Sequence, residues 1–190
     1  MTIEKAQKLK DYLQKLESVV VAFSGGVDSS FLAAAAYKVL GDKAIAVTAV
    51  SETLSETEKM EARKTAATIG IKHEEVWISE LEDPEFVANN GDRCYHCKHT
   101  RFGALTTWAK EHGYKWVIDG SNIDDLCDYR PGMKAIKELN GVCSPLLENG
   151  LAKEDIRSLS KVWGLPTWNK LSMPCLSSRI AYGEQITPER

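Results

Sequence analysis

Long apolar runs are missing from this chain. Nothing in it approaches the ~20 consecutive apolar residues of a membrane helix, so no membrane partner is expected. The opening residues, Met1-Thr2-Ile3-Glu4-Lys5, are polar, which speaks against a secretory leader and for a cytoplasmic location. Positive charge is not in excess. Lys and Arg number 24 against 27 Asp and Glu, a net charge of -3, so a strongly basic nucleic-acid surface is not expected. There is no internal repeat and no low-complexity tract. The five cysteines are an odd count without a leader, which favours reduced thiols over a disulfide framework. A second C-x-x-C is absent, so a structural zinc site is under-supplied unless His96 and His99 complete one. Neither G-x-G-x-x-G nor a Gly-Lys-Ser/Thr loop occurs, which removes the dinucleotide fingerprint and the Walker A loop.

What remains is an ordinary globular composition, 43% hydrophobic and 27% charged in 190 residues. That length suits one domain, or one with a fragment of another, and buries roughly 70% of the unfolded surface. Residues 2–17 have the spacing of an amphipathic helix, with Leu9, Tyr12, Leu13 and Leu16 on one face. Residues 18–23 form an apolar run without polar alternation, the pattern of a central parallel strand buried on both faces. Asp28 to Leu40 then reads as a helix, with Ala33 to Ala36 small enough to lie close to a sheet.

The alternation continues along the chain. Ala44 to Ala49 reads as a strand, and Ser55 with Glu58 as a capping box opening a helix that Gly70 ends. Glu75 to Ile78 reads as a strand, Cys97 to His112 as a helix, Lys115 to Asp119 as a strand and 132–139 as a weak helix. Val142 to Leu147 reads as a fifth strand and Lys153 to Trp163 as a last helix. Alternating strands and helices predict an α/β fold, an open doubly wound parallel sheet of about five strands with helices on both faces. Residues 1–166 form the expected main domain. Residues 167–190 form a loop carrying Cys175, and Thr187-Pro188-Glu189 resembles the start of a further helix. The other long non-periodic stretches are 79–94 and 120–131, and such loops tend to be functional. Most of the tryptophans, Trp168 included, are expected to pack, as are Cys127 and Cys143.

The most specific signal is Val19 to Ser30, VVVAFSGGVDSS. A buried strand runs through Ser24, Gly25, Gly26 and Val27 straight into a helix start. Glycines let the chain bend tightly and let a ligand reach the amides, and the helix start favours an anion. Ser24, Ser29 and Ser30 add hydroxyls. Asp28 is suited to hold Mg²⁺ against a polyphosphate. Thr48 and Gly120, at the ends of two further strands, lie where open α/β sheets receive ligands, with Asp119, Ser121, Asn122 and Asp124 beside Gly120. Cys94 and Cys97 form a C-x-x-C, a spacing that suits one metal, a cluster or a redox pair. Cys175 sits in Met173-Pro174-Cys175-Leu176-Ser177-Ser178-Arg179, a non-periodic stretch with the look of an active-site loop.

SGGVDSS resembles the PP-loop of the ATP pyrophosphatase (adenine nucleotide alpha-hydrolase-like) superfamily, in which the loop holds the leaving pyrophosphate while an acceptor is adenylylated. That resemblance implies sheet order 3-2-1-4-5. The ordered set SGGVDSS, RCYHCK, DGSNIDD and MPCLSSR, over residues 5–187, resembles the LarE family of ATP-dependent sulfur transferases. It implies that ATP activates a carboxylate of pyridinium-3,5-biscarboxylic acid mononucleotide, a small nucleotide-like substrate on the route to the nickel-pincer cofactor. A sulfur nucleophile then displaces AMP and leaves a thiocarboxylate. The resemblance assigns ATP to Ser24, Gly25, Gly26, Val27, Asp28, Ser29, Ser30, Thr48 and Gly120, and substrate to Ser178 and Arg179. It gives catalytic roles to Asp28 and Cys175. In single-cysteine members the residue matching Cys175 gives up its own sulfur and becomes dehydroalanine. Members with a C-x-x-C as well hold a [4Fe-4S] cluster, and Cys94, Cys97 and Cys175 match that type. The competing readings are a PP-loop tRNA thiolase, an ammonia-dependent ligase of the NAD or GMP synthetase kind, and a nucleotide-binding module without catalysis. Self-association is left open.

Overall fold

The computed structural model describes residues 1–127 and 130–190. Val19, Val20 and Val21 are fully buried, which is why β1 (Val19–Ala22) lacks polar alternation. It is the central strand, paired in parallel with β2 (Ala44–Val50) on one side and β4 (Trp116–Ile118) on the other. β3 (Lys72–Trp77) lies outside β2, and β5 (Val142–Cys143) lies outside β4. The order is β3-β2-β1-β4-β5, as expected.

Helices cover both faces. On one, α1 (Thr2–Leu16), α2 (Val27–Leu40) and α8 (Lys153–Val162) pack Leu9, Leu13, Phe31 and Ile156 over Val19, Val21 and Ile118. α3 (Glu56–Ile69) contributes Ala62 and Ala66 to the same core. On the other face, α5 (Arg93–Glu111) and α6 (Pro131–Glu138) set Phe102, Leu105 and Ile136 over Val20, Ile45 and Val117. Ala33, Ala35 and Ala36 are fully buried, so α2 lies close to the sheet, and a larger side chain there would cost roughly 1–3 kcal/mol in strain. Ser55 and Glu58 form the reciprocal capping box at the start of α3, and Gly70 closes that helix in the left-handed conformation.

Several boundaries differ from the sequence reading. β3 starts at Lys72 rather than Glu75, because an edge strand exposed along much of its length can be polar. The run from Val142 to Leu147 is not one strand. Pro145 ends β5 after Cys143 and opens the single helical turn α7 (Pro145–Glu148). α5 begins at Arg93 rather than Cys97, so Cys94 lies in its first turn rather than before it. Stretch 79–94 contains a further turn, α4 (Pro84–Val87), capped by Asp83. Thr187-Pro188-Glu189 forms a turn closed by Arg190 N donating to Thr187 O, not a helix. Cys127 is exposed rather than packed, whereas Cys143 is buried as expected. Trp77 is largely exposed on β3, while Trp163 stacks on Phe31.

Candidate active site

Gly25 adopts φ +75°, and a Cβ there would stand 2.9 Å from Ala62 Cα, so only glycine lets the loop pass this close to α3. Ser29 Oγ ties the loop back on itself, accepting from Ser24 N at 3.2 Å and meeting Ser24 Oγ at 3.1 Å. Gly26 is the N-cap of α2 and brings no side chain to the first amides, which leaves the positive end of the helix open. Gly120, after β4, approaches the same helix start: a Cβ on it would lie 3.2 Å from Ser29 N. The ends of β1 and β4 therefore meet at the start of α2.

Two cavities flank this loop, and Ser24 borders both. The first, about 320 Å³, is lined by Ser29, Thr48, Gly120, Cys97 and Arg101 among others. It unites the expected nucleotide residues of three strand ends. The Thr48 hydroxyl itself is engaged: it donates to Phe23 O at 2.8 Å and meets His73 Nε2 at 2.7 Å, so Thr48 shapes the wall rather than offering a free hydroxyl. Burial pushes the His73 imidazole below its ordinary value and keeps it neutral. Asp119 is likewise spent on structure, accepting from Ser121 Oγ at 2.8 Å and Ser144 Oγ at 2.5 Å. The second cavity, about 480 Å³, is lined by Gly26, Val27, Lys153, Lys170, Pro174 and Arg179 among others.

Asp28 points one oxygen at Lys153, with Oδ2 2.6 Å from Nζ. Its other oxygen, Oδ1, is buried and has no hydrogen-bond partner among the described residues. Burial raises the carboxyl above its ordinary value despite the pull of Lys153. An orphaned carboxylate oxygen beside a phosphate-accepting loop fits Mg²⁺, a hard cation that takes one or two carboxylates plus phosphate oxygens. Ser30 Oγ is also buried and, among the described residues, unpartnered. Lys170 Nζ donates to Gly25 O at 3.3 Å and pairs with Glu61 at 2.7 Å. Neither lysine stood out in the sequence, since each lies more than a hundred residues from the loop. The only local signal was Lys153 opening the last helix.

Glu80 is the other residue the sequence hid. It is 1% exposed. Although burial opposes ionisation, Arg101 beside it, the Cys97 thiol and the Thr53 hydroxyl hold its pKa down at about 2. Arg101 Nε donates to Glu80 Oε1 at 2.9 Å, and Ser51 Oγ donates to Oε2 at 2.7 Å. Cys97 Sγ donates to Oε1 at 2.7 Å, and burial first, then Glu80, pushes this thiol up to about 12. Cys175 is exposed, on the segment that Arg93 Nη1 ties to the start of α5 through Ser177 O at 3.0 Å. Cys94 is exposed one helical turn before Cys97. Ser178 spends its hydroxyl on Cys175 O at 2.6 Å, closing the turn Leu176–Arg179, while Arg179 reaches the second cavity.

The donor chemistry of Cys94, Cys97 and Cys175 fits a soft iron–sulfur cluster. Among the described residues no three His, Cys, Asp or Glu side chains stand gathered at metal-holding distance. Loading would therefore have to draw these thiols together and release Cys97 from Glu80. His96 is turned toward Asp92, 3.2 Å away, rather than toward the cysteines.

The family described as NAD synthase matches residues 2–92. An uncharacterised protein of Synechocystis is 46% identical over all of this chain and 70% of its own length. The pyridinium-3,5-bisthiocarboxylic acid mononucleotide synthase of Lactiplantibacillus plantarum is 37% identical over 92% of this chain, which spans 63% of that relative. In fold, the chain is similar to the NMN synthetase of Francisella tularensis, with a TM-score of 0.70 at 20% identity over 90% of this chain and 75% of that one. With its PP-loop, its sheet order and these relatives, the chain belongs to the LarE family of PP-loop ATP pyrophosphatase enzymes.

Proposed function

We propose that this chain is an ATP-dependent sulfur transferase that converts a carboxylate of pyridinium-3,5-biscarboxylic acid mononucleotide to a thiocarboxylate, releasing AMP and pyrophosphate. The observation that carries the reading is Ser24 at the junction of two cavities, one walled by Cys97 and the other by the segment bearing Cys175. The phosphate loop thus stands between a cavity walled by Cys97 and one walled by Pro174 and Leu176, the neighbours of Cys175.

In the first step a substrate carboxylate oxygen bonds to the alpha phosphorus of ATP, and the bond to the pyrophosphate leaving group breaks. The open start of α2, Ser24 and Lys170 would hold the departing charge, and Asp28 would take Mg²⁺, with Lys153 released toward the phosphates. A carboxylate is a poor electrophile, and the AMP ester makes its carbon attackable. In the second step sulfur bonds to that carbon and the bond to AMP breaks. Where exposed Cys175 is the nucleophile, the thioester it forms then loses the Cys175 Cα proton to a base and the Cβ–Sγ bond breaks, leaving the thiocarboxylate on the substrate and dehydroalanine at position 175. A [4Fe-4S] cluster on Cys94, Cys97 and Cys175 would supply transferable sulfide when bound. Arg179 belongs to the wall on which the substrate would lie, and Ser178 beside it closes the turn that presents it.

The direct test supplies ATP, magnesium and the biscarboxylate mononucleotide to anaerobically prepared protein and weighs the products. The expected result is AMP, pyrophosphate and an acceptor heavier by the exchange of oxygen for sulfur. Product formation that requires ammonia and ignores replacement of all three cysteines would overturn the reading in favour of an amide-forming ligase.

A further inference from the structure

The Cys175 turn and the start of α5 are about ninety residues apart in sequence, yet two buried polar side chains join them. Asn89 is fully buried, with φ +54°. Its Nδ2 donates to Ala181 O at 2.8 Å and Glu184 O at 3.0 Å. Its Oδ1 accepts from Arg93 Nη1 at 2.7 Å, and that same nitrogen donates to Ser177 O at 3.0 Å. The guanidinium, 4% exposed at the residue level, also lies 5.3 Å from the centre of the Tyr182 ring. The backbone adds two bonds, Gly183 N to Asn89 O at 3.0 Å and Ile186 N to Val87 O at 3.1 Å.

This arrangement is costly for bare packing. Among the described residues this buried cation is bonded to neutral oxygens, so it loses its hydration without gaining a counter-charge from them. The carbonyls that Arg93 and Asn89 grip lie on one short stretch, residues 177–184, just after Cys175. Arg93 itself directly precedes Cys94, with Cys97 one turn further on.

We infer that Asn89 and Arg93 are positioning residues that hold the Cys175 turn against the start of α5, so that the sulfurs of Cys175 and Cys97 face a common space. The clasp rests on the sulfur-transfer reading for its purpose but not for its geometry. One helix end then carries two thiols and the grip on the third. Displacing the turn by an ångström or more would separate the sulfurs without touching the phosphate loop.

The test uses the full chain with Cys94 and Cys127 replaced by serine, leaving exposed Cys175 and half-buried Cys97 beside the buried Cys143. Dibromobimane reacts first at exposed Cys175, and its second arm then reports whether Cys97 is within reach. Asn89→Gly, which keeps the positive φ free of strain, and Arg93→Met are each expected to slow that second reaction about tenfold or more. Alkylation of Cys175 by iodoacetamide should stay nearly unchanged in the same variants. Cross-linking at the parent rate in folded variants would overturn the proposal. Should the variants fail to fold, hydrogen exchange on the unaltered protein decides. The amides of Gly183 and Ile186 are expected to be as protected as the first turns of α5, and unprotected exchange there would equally overturn it. Both readouts need neither ATP nor acceptor, so a failure of sulfur transfer leaves them standing, and their failure leaves sulfur transfer untouched.

Discussion

The phosphate side of the site and its thiol side are held by different forces. At the ends of β1 and β4, fully buried Val21 and Ile118 fix the backbone, and Gly25 and Gly120 let three segments meet at the start of α2. Few side-chain bonds are needed, and Asp28 Oδ1 and Ser30 Oγ are left without partners among the described residues. At the start of α5 the backbone is irregular, and buried charges do the holding: Glu80 with Arg101, and Arg93 with Asn89. The phosphate side thus keeps unsatisfied groups for a ligand, whereas the thiol side uses its polar groups on itself. Substitutions on the first should remove chemistry while sparing the fold. Substitutions on the second should cost stability as well.

The largest expected effect sharpens the first half of that contrast. Asp28→Asn should lower AMP formation by about a hundredfold or more. Its unfolding free energy should change by less than about 1 kcal/mol, because the Lys153 pair it breaks is partly solvated. Steady-state assays beside urea unfolding check both. Glu80→Ala is the converse case. It strands Arg101 and removes the acceptor of Cys97, Ser51 and Thr53, and should cost about 3–5 kcal/mol in urea unfolding. A loss below about 1 kcal/mol would break the contrast. Ser55→Ala removes the capping box of α3 and should cost about 1 kcal/mol by the same measurement.

The smallest effect is a pH dependence. Burial lowers the His73 pKa in the fold below its ordinary 6.5. The unfolded chain therefore binds the proton more readily, and the contribution of neutral His73 is whole above about pH 6.5. It declines as the pH falls through that value toward the folded one. Thermal midpoints measured from pH 7.5 to 5.5 should fall, and the slope should shrink in His73→Asn.

The same division explains what could be read from sequence. Strand β1, the loop after it, α2 and the capping box are local patterns, legible in VVVAFSGGVDSS and in Ser55 with Glu58. The meeting of Thr48 and Gly120 with the loop followed from their places at strand ends. Glu80, Arg93, Asn89, Lys153 and Lys170 were not legible, because each acts on a partner brought near only by the tertiary fold. The start of α5 was placed four residues late because Arg93-Cys94-Tyr95-His96 has no apolar periodicity. The fifth strand was read too long because Pro145 interrupts an otherwise apolar run.

The central claim is that adenylylation belongs to the phosphate side and sulfur delivery to the thiol side. The measurement that tests it most directly is a comparison of Cys175→Ala with the unaltered protein, following pyrophosphate release and thiocarboxylate formation in one reaction with the biscarboxylate acceptor. The account predicts that the variant still releases pyrophosphate and makes no thiocarboxylate. Thiocarboxylate formed by the variant at the unaltered rate would contradict it.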